Sequence, residues 1–323
     1  MARSSALALA AALCTGWIAA LPSCSSPTAT ETPGSSQRTF DSPEDAVVAL
    51  IDAARQGSVA ETAPLFGAGF DDLASDSPAQ TEGDLQRLAA AYDRRHALLI
   101  DDQGSDSAVH RVTLAVGDDL WEFPVPLVHD GAPPRWRFDT ATGLEAVWAI
   151  RCERNEREAL EFLAGCVAAQ EEYRQMGYGG PNAYARRFRS EVGRRDGLWW
   201  SDDMTPPISP LGPMVDEAVA SANPPIDPRT ISSYRGYRYR VVEAAGPAAP
   251  GGATAWLDSS GALVGGFAFL AWPDEYGRSG VHTYLVSSDG TVWSRDLGAE
   301  TGSLAAAIRQ FDPEPSWVLL LPQ

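Results

Sequence analysis

The chain contains no lysine; all 25 of its basic residues are arginine. That excludes a Schiff-base lysine, a Walker-type phosphate lysine and a Ser–Lys dyad. A guanidinium stays protonated and replaces lysine neither as base nor as nucleophile. Abundant Ala, Gly and Pro point to base composition as the origin of the absence, and the chemical exclusions hold either way. Histidine is scarce: His96, His110, His129 and His282 are scattered, and none has close metal-ligand spacing. There is no His-Glu-x-x-His, no Gly-x-Ser-x-Gly, no Walker loop and no Gly-x-Gly-x-x-Gly after a strand. No metal or cofactor is therefore expected. The apolar run from Ala6 to Leu21 is short. Its sixteen residues span roughly 24 Å as a helix, against about 30 Å of bilayer core.

What the chain has is negative charge, −18 in 323 residues, with 44% apolar residues. A field of that sign repels phosphate backbones and anionic membrane faces, so nucleic acid is not an expected partner. The length suits two domains with sizeable cores. From Asp41 to Asp130 there are eighteen acids against five Arg, so most of the negative charge falls in the first half.

Arg3 before the apolar run has the pattern of a signal peptide, residues 1–23. The run ends in Leu21-Pro22-Ser23-Cys24, which resembles a lipobox with Cys24 as the acylated residue. Pro22 is atypical there, and ordinary cleavage nearby is the alternative. Residues 24–38 are polar and rich in Ser, Thr and Pro, as in a flexible tether. Export to the periplasm or outer face follows, with Cys24 holding the protein on a membrane. Cys152 and Cys166 both fall in a helical stretch. Fourteen residues along one helix is about 21 Å, beyond disulfide reach. Either the helix breaks between them or both are buried free thiols, and the second is favoured.

Ser42-Pro43-Glu44-Asp45 starts a helix with Ser at the N-cap and Pro at the first helical position. Helices are expected to about Gly57, over Val59–Phe66 and over Asp84–Arg95. Strands follow at Val109–Val116, at Trp121–Val128 (an edge strand, because of Pro124 and Pro126) and at Arg135–Asp139. The segment 39–140 thus reads as a small α+β domain with an antiparallel meander, like a cystatin or nuclear-transport-factor cone. Segment 141–323 reads as a second α+β domain. A long helix covers Gly143–Met176, and a short helix runs from Pro213 to about Ala222. Strands are expected at Tyr237–Ala244, Ala262–Ala271, Val281–Ser287 and Thr291–Arg295, with a closing helix at Ser303–Phe311. Ser288-Asp289-Gly290 marks a hairpin. This order resembles the globular part of a pseudopilin, without the pilin methylation signal.

A series of short motifs runs along the chain: "FDSPEDAV", "WEFPVPLV", "WRFDTATG", "RNEREA", "AQEEY", "YARRF", "RRDGLWW", "SPLGP", "YRGYRYRVVEA", "PGGA", "GFAFLAWPDEYGRSGVHTY", "DGTVWSRDLG" and "FDPEPSW". The series resembles the bacterial exported family labelled domain of unknown function 2950, over about Phe40 to Trp317. The resemblance implies an envelope location and no named activity. Glu153 stands where that family usually has Gly, and Trp199 where it usually has Tyr. The second change keeps a large aromatic and argues against an essential phenolic hydroxyl.

Two loops carry the candidate chemistry. One is Arg194–Pro213, with Arg195, Asp196, Trp199, Trp200, Asp202 and Asp203. The other has Trp272, Asp274, Glu275, Tyr276 and Arg278, followed by His282 and Tyr284. Aromatic faces beside carboxylates and guanidinium groups suit sugars or peptide stems. Asp196 and Glu275 are the candidate acid and base of a hydrolase. The competing reading is structural, with Pro and Gly setting turns, aromatics plugging the core and Arg–Asp pairs fixing loop ends. The expectation is a lipid-anchored cell-envelope protein, a non-enzymatic binding or assembly factor for an envelope protein or cell-wall polymer. A hydrolase of an envelope polymer such as peptidoglycan is the alternative.

Overall fold

The computed structural model describes residues 37–74, 78–101, 110–130, 135–200, 208–212 and 229–320. The signal stretch, Cys24, Asp202, Asp203 and the expected helix after Pro213 lie outside them. Contacts divide the chain into two compact units, Met1–Val147 and Trp148–Gln323. Helices and antiparallel sheets make the fold class α+β.

The first unit opens with α1 (Pro43–Arg55). The Ser42 hydroxyl accepts from Asp45 N at 3.1 Å, with Pro at the start and acids in the first turn. Those features satisfy orphan N–H groups and match the helix dipole. The buried residues Ala46, Val47, Leu50, Ala53 and Ala54 are the apolar stripe legible in the sequence. Next come α2 (Val59–Phe66), a short α3 (Phe70–Leu73) and α4 (Pro78–Arg94). The sheet order is β1 (His96–Asp101), β2 (His110–Val116), β4 (Leu127–Asp130), β5 (Arg135–Phe138), with β3 (Trp121–Glu122) paired to β2. Leu50, Phe66, Leu114, Leu127 and Phe138 pack one core, with Phe66 and Phe138 ring centres 4.8 Å apart. Full burial of each such side chain stabilises by roughly 1.5–3 kcal/mol.

Two expectations fail here. The run Trp121–Val128 is two strands, not one, because Pro124 and Pro126 remove two ladder donors. Its second half, β4, lies between β2 and β5 rather than at an edge. The ends of the order are β1 and β5, and β1 was not among the expected strands: HALLID lacks clean alternation, and Ile100 is 78% exposed.

The second unit is built on α5 (Thr140–Met176), which begins in the first unit, and on a six-stranded antiparallel sheet. The strands run in the order β13 (Val318–Leu320), β12 (Val292–Asp296), β11 (His282–Ser287), β10 (Ala268–Pro273), β7 (Tyr237–Val242), β6 (Thr230–Tyr234). A two-stranded excursion, β8 (Ala244–Ala245) with β9 (Thr254–Ala255), interrupts the meander. On α5, Ala159, Phe162, Leu163, Cys166, Ala169 and Tyr173 pack against Tyr237, Tyr239, Phe269 and Tyr284. The opposite sheet face, with Leu270, Trp272 and Leu285, is covered by Ala305 of α6 (Thr301–Ala307), Phe311 and Trp317. β10 is buried along its whole length because both its faces are covered. The expected strand Ala262–Ala271 starts only at Ala268, since Gly265 and Gly266 lie against Trp256. Cys152 and Cys166 are buried free thiols on one continuous helix.

Candidate functional site

Arg194–Trp200 is a clasp held to the core of the second unit. Trp199 N donates to Phe188 O at 2.8 Å, and Ser190 N donates to Trp199 O at 2.8 Å. Gly197 is needed there: a Cβ would come within 2.7 Å of the backbone of Arg189 and Ser190. Trp199 and Trp200 are 6% and 3% exposed. The Arg189 guanidinium lies 5.5 Å from the Trp199 ring centre. Arg195 lies over Tyr178 at 5.5 Å and over Trp200 at 5.7 Å, and its carbonyl accepts from Tyr173 OH at 3.1 Å. Burial, followed by the Asp196 charge, pushes that phenol up to about 12. Asp196 accepts from Glu191 N at 3.0 Å and pairs with Arg187 at 3.4 Å. Both indoles are enclosed by protein, so this stretch presents no open aromatic face.

The second loop is the turn between β10 and β11. Trp272 points away from it, into the α6 face of the sheet, under the Arg240 guanidinium at 5.5 Å. Arg240 is itself 8% exposed and donates to Ala305 O at 2.9 Å and Ala306 O at 3.2 Å, closing the end of α6. The turn residues gather near the start of the second unit's share of α5. Arg278 lies over the Trp148 ring at 4.6 Å, Tyr276 OH donates to Asp296 at 3.2 Å, and Arg278 is 3.7 Å from Glu275.

Beside this turn is a group of which the sequence analysis named His282 and Tyr284 but not Glu156. Glu156 Oε1 accepts from Val281 N at 2.8 Å and His282 N at 3.1 Å, and both carboxylate oxygens lie 3.2 Å from His282 Nδ1. Asn155 Nδ2 donates to Ser279 O at 2.9 Å, and Tyr237 OH to His282 O at 3.0 Å. Gly280 is bare because a Cβ would overlap the Tyr237 hydroxyl. Burial alone would raise the Glu156 carboxyl. The His282 ring and the two N–H groups outweigh it and hold the group below its usual range. The Glu156 hydrogen bond, with Asp296 nearby, raises His282. Burial first, then Glu156, raises the Cys152 thiol to about 11 and the Tyr284 phenol further.

A carboxylate orienting an imidazole is a motif of general-base catalysis. Here the nearby thiol and phenols are held protonated, and the two backbone N–H groups that could serve an oxyanion already bind Glu156. The group ties α5 to β11. Tyr173 and Asn155, which anchor the two loops, are eighteen residues apart on α5, about 27 Å at 1.5 Å per residue. The loops carrying Asp196 and Glu275 are therefore fixed at separate places. An acid–base carboxylate pair acting on one glycosidic bond needs roughly 5–10 Å. Among the described residues no group of three or more His, Cys, Asp or Glu is placed to hold a metal ion.

Fold and site together define a two-unit α+β protein whose motif aromatics mostly build cores. A family model described as Protein of unknown function (DUF2950) matches residues 37–320, and the chain belongs to that family. No curated protein and no solved structure matches it, so the pseudopilin likeness has no structural neighbour behind it.

Proposed function

We propose that the chain is an exported, lipid-anchored cell-envelope protein that works as a binding or assembly factor rather than as a hydrolase. The export reading is supported by Arg3, the apolar run to Leu21 and Leu21-Pro22-Ser23-Cys24. The observation that carries binding over turnover is the separation of the candidate acid and base, each beside a different arginine: Asp196 with Arg187, Glu275 with Arg278. The binding surface is the β10–β11 turn, where Trp148, Tyr276 and Arg278 combine an aromatic face with a guanidinium. Such a surface fits an envelope protein or a cell-wall polymer.

Pelleting of the detergent-solubilised full chain with peptidoglycan sacculi tests this, beside Trp148→Ala/Arg278→Ala. Wild type is expected in the pellet and the variant in the supernatant, at an unchanged melting midpoint. Equal pelleting of both removes the turn as the binding surface. Release of soluble muropeptides would return the reading to a hydrolase.

A further inference from the structure

The first unit contains a cleft of about 310 Å³ between α4 and the β2–β3 hairpin. On α4, Asp84, Arg87, Leu88, Ala91 and Arg94 recur at helical spacing along one face. The hairpin contributes Val116, the turn Gly117-Asp118-Asp119 and Trp121. The floor is apolar, with Leu88, Ala91 and Val116 at most 7% exposed. Trp121 forms a wall, braced edge-on by Phe123 at 6.4 Å. The rim carries both signs: Arg87 pairs with Asp84, Arg94 Nε stands 3.8 Å from Asp118, and Asp119 is exposed.

The turn is held in place before any ligand arrives. Gly117 N donates to Ala91 O at 3.2 Å and to Arg95 O at 2.8 Å, and Leu120 N to Gly117 O at 3.1 Å. Leu120 has φ of +52°, a left-handed conformation that strains a non-glycine residue. Residues held this way collect at ligand sites. Leu120 immediately precedes Trp121, so the strained turn sets where the indole enters the cleft.

We infer that this cleft binds a neutral saccharide of one or two rings. A ligand of one charge would be met by a rim of the opposite sign. A rim of alternating carboxylates and guanidinium groups instead suits vicinal hydroxyls, which donate to the first and accept from the second. The indole and apolar floor suit the C–H face of a pyranose. The volume is at the small end of the roughly 300–1,000 Å³ usual for small-molecule sites. The inference concerns the first unit and stands independently of the surface proposed on the second.

Saturation-transfer NMR on the full chain tests it, with glucose, N-acetylglucosamine, cellobiose and chitobiose as probes. At least one sugar is expected to receive saturation at its ring protons, and Trp121→Leu is expected to abolish the signal. Asp119→Asn, at an exposed turn position, is expected to weaken binding about tenfold while leaving the fold intact. That variant carries the test if Trp121→Leu melts early. The inference is overturned if no probe receives saturation at millimolar concentration, or if both variants bind as wild type.

Discussion

Trp199 and Trp200 are neighbours in the chain but are held by different partners. Trp199 is fixed by its backbone bridge to Phe188 and Ser190 and by the Arg189 guanidinium over its ring. Trp200 stands edge-on to Tyr178, ring centres 5.3 Å apart, under Arg195. Truncating either leaves a cavity where an indole was, with a cost of about 3–5 kcal/mol. Urea unfolding of Trp199→Ala and of Trp200→Ala is therefore expected to show lower midpoints at unchanged slope. Unchanged midpoints would mean that these side chains are not core. The sequence showed the density of aromatics here but not their direction, because a loop has no period from which to read a buried side. Glu156 was hidden for the opposite reason. It lies in a run of alternating charge that reads as a solvated helix face. Yet Cys152, Glu156, Ala159, Leu163 and Cys166 follow one another at intervals of four, three, four and three. A carboxylate inside an apolar stripe was the signal that a partner awaited it across the sheet.

At the scale of elements, the Glu156–His282 pair fastens α5 to β11, and its strength depends on pH. Protonated His282 is favoured in the folded state, so its contribution is full below an unfolded value of about 6.5 and fades as pH rises through the raised folded value. Glu156 is depressed, so its contribution is full above an unfolded value of about 4.5 and fades as pH falls through the lower folded value. The pair is strongest in the mildly acidic window between. The His282 side chain is 45% exposed. Solvent screening therefore keeps its share to about 1 kcal/mol or less. The backbone donors Val281 N and His282 N keep Glu156 bound when the ring is neutral. Asp296, Tyr284, Tyr237 and Cys152 also face this group. The stability difference between wild type and His282→Gln is expected to shrink as pH rises above about 6.5 and through the raised folded value. A difference that stays constant with pH would show that the ring acts only by packing. Most element types were legible from period and punctuation: Ser42-Pro43 for α1, the stripe of α5, Ser288-Asp289-Gly290 for the last hairpin. The misread elements were the ones where local pattern and sheet position diverge. β4 is central although two prolines precede it, and β6 and β13 are too short to show a period.

For the whole molecule, the charge of −18 without a single lysine and the family membership over residues 37–320 name no ligand, and the proposed envelope location rests on the signal-like start. Composition and a signal-like start are properties summed over many residues, so they survive the lack of any contact information. A site depends on which side chains meet, and here the two motif-rich loops do not meet, while the cleft on α4 joins residues more than twenty positions apart. The proposed lipid anchor makes its own prediction through Cys24. One acyl chain binds a membrane marginally, at about 10⁴ M⁻¹, so durable attachment requires the several chains that a lipidated N-terminal cysteine carries. Cys24→Ala is expected to lose incorporation of labelled palmitate and to move from the membrane pellet to the soluble fraction. The fold should be unaffected, because Cys24 precedes the family region. If ordinary signal cleavage operates instead, wild type and Cys24→Ala will both be soluble and unlabelled. In that case the lipid-anchored part of the proposed function falls and the export part stands alone.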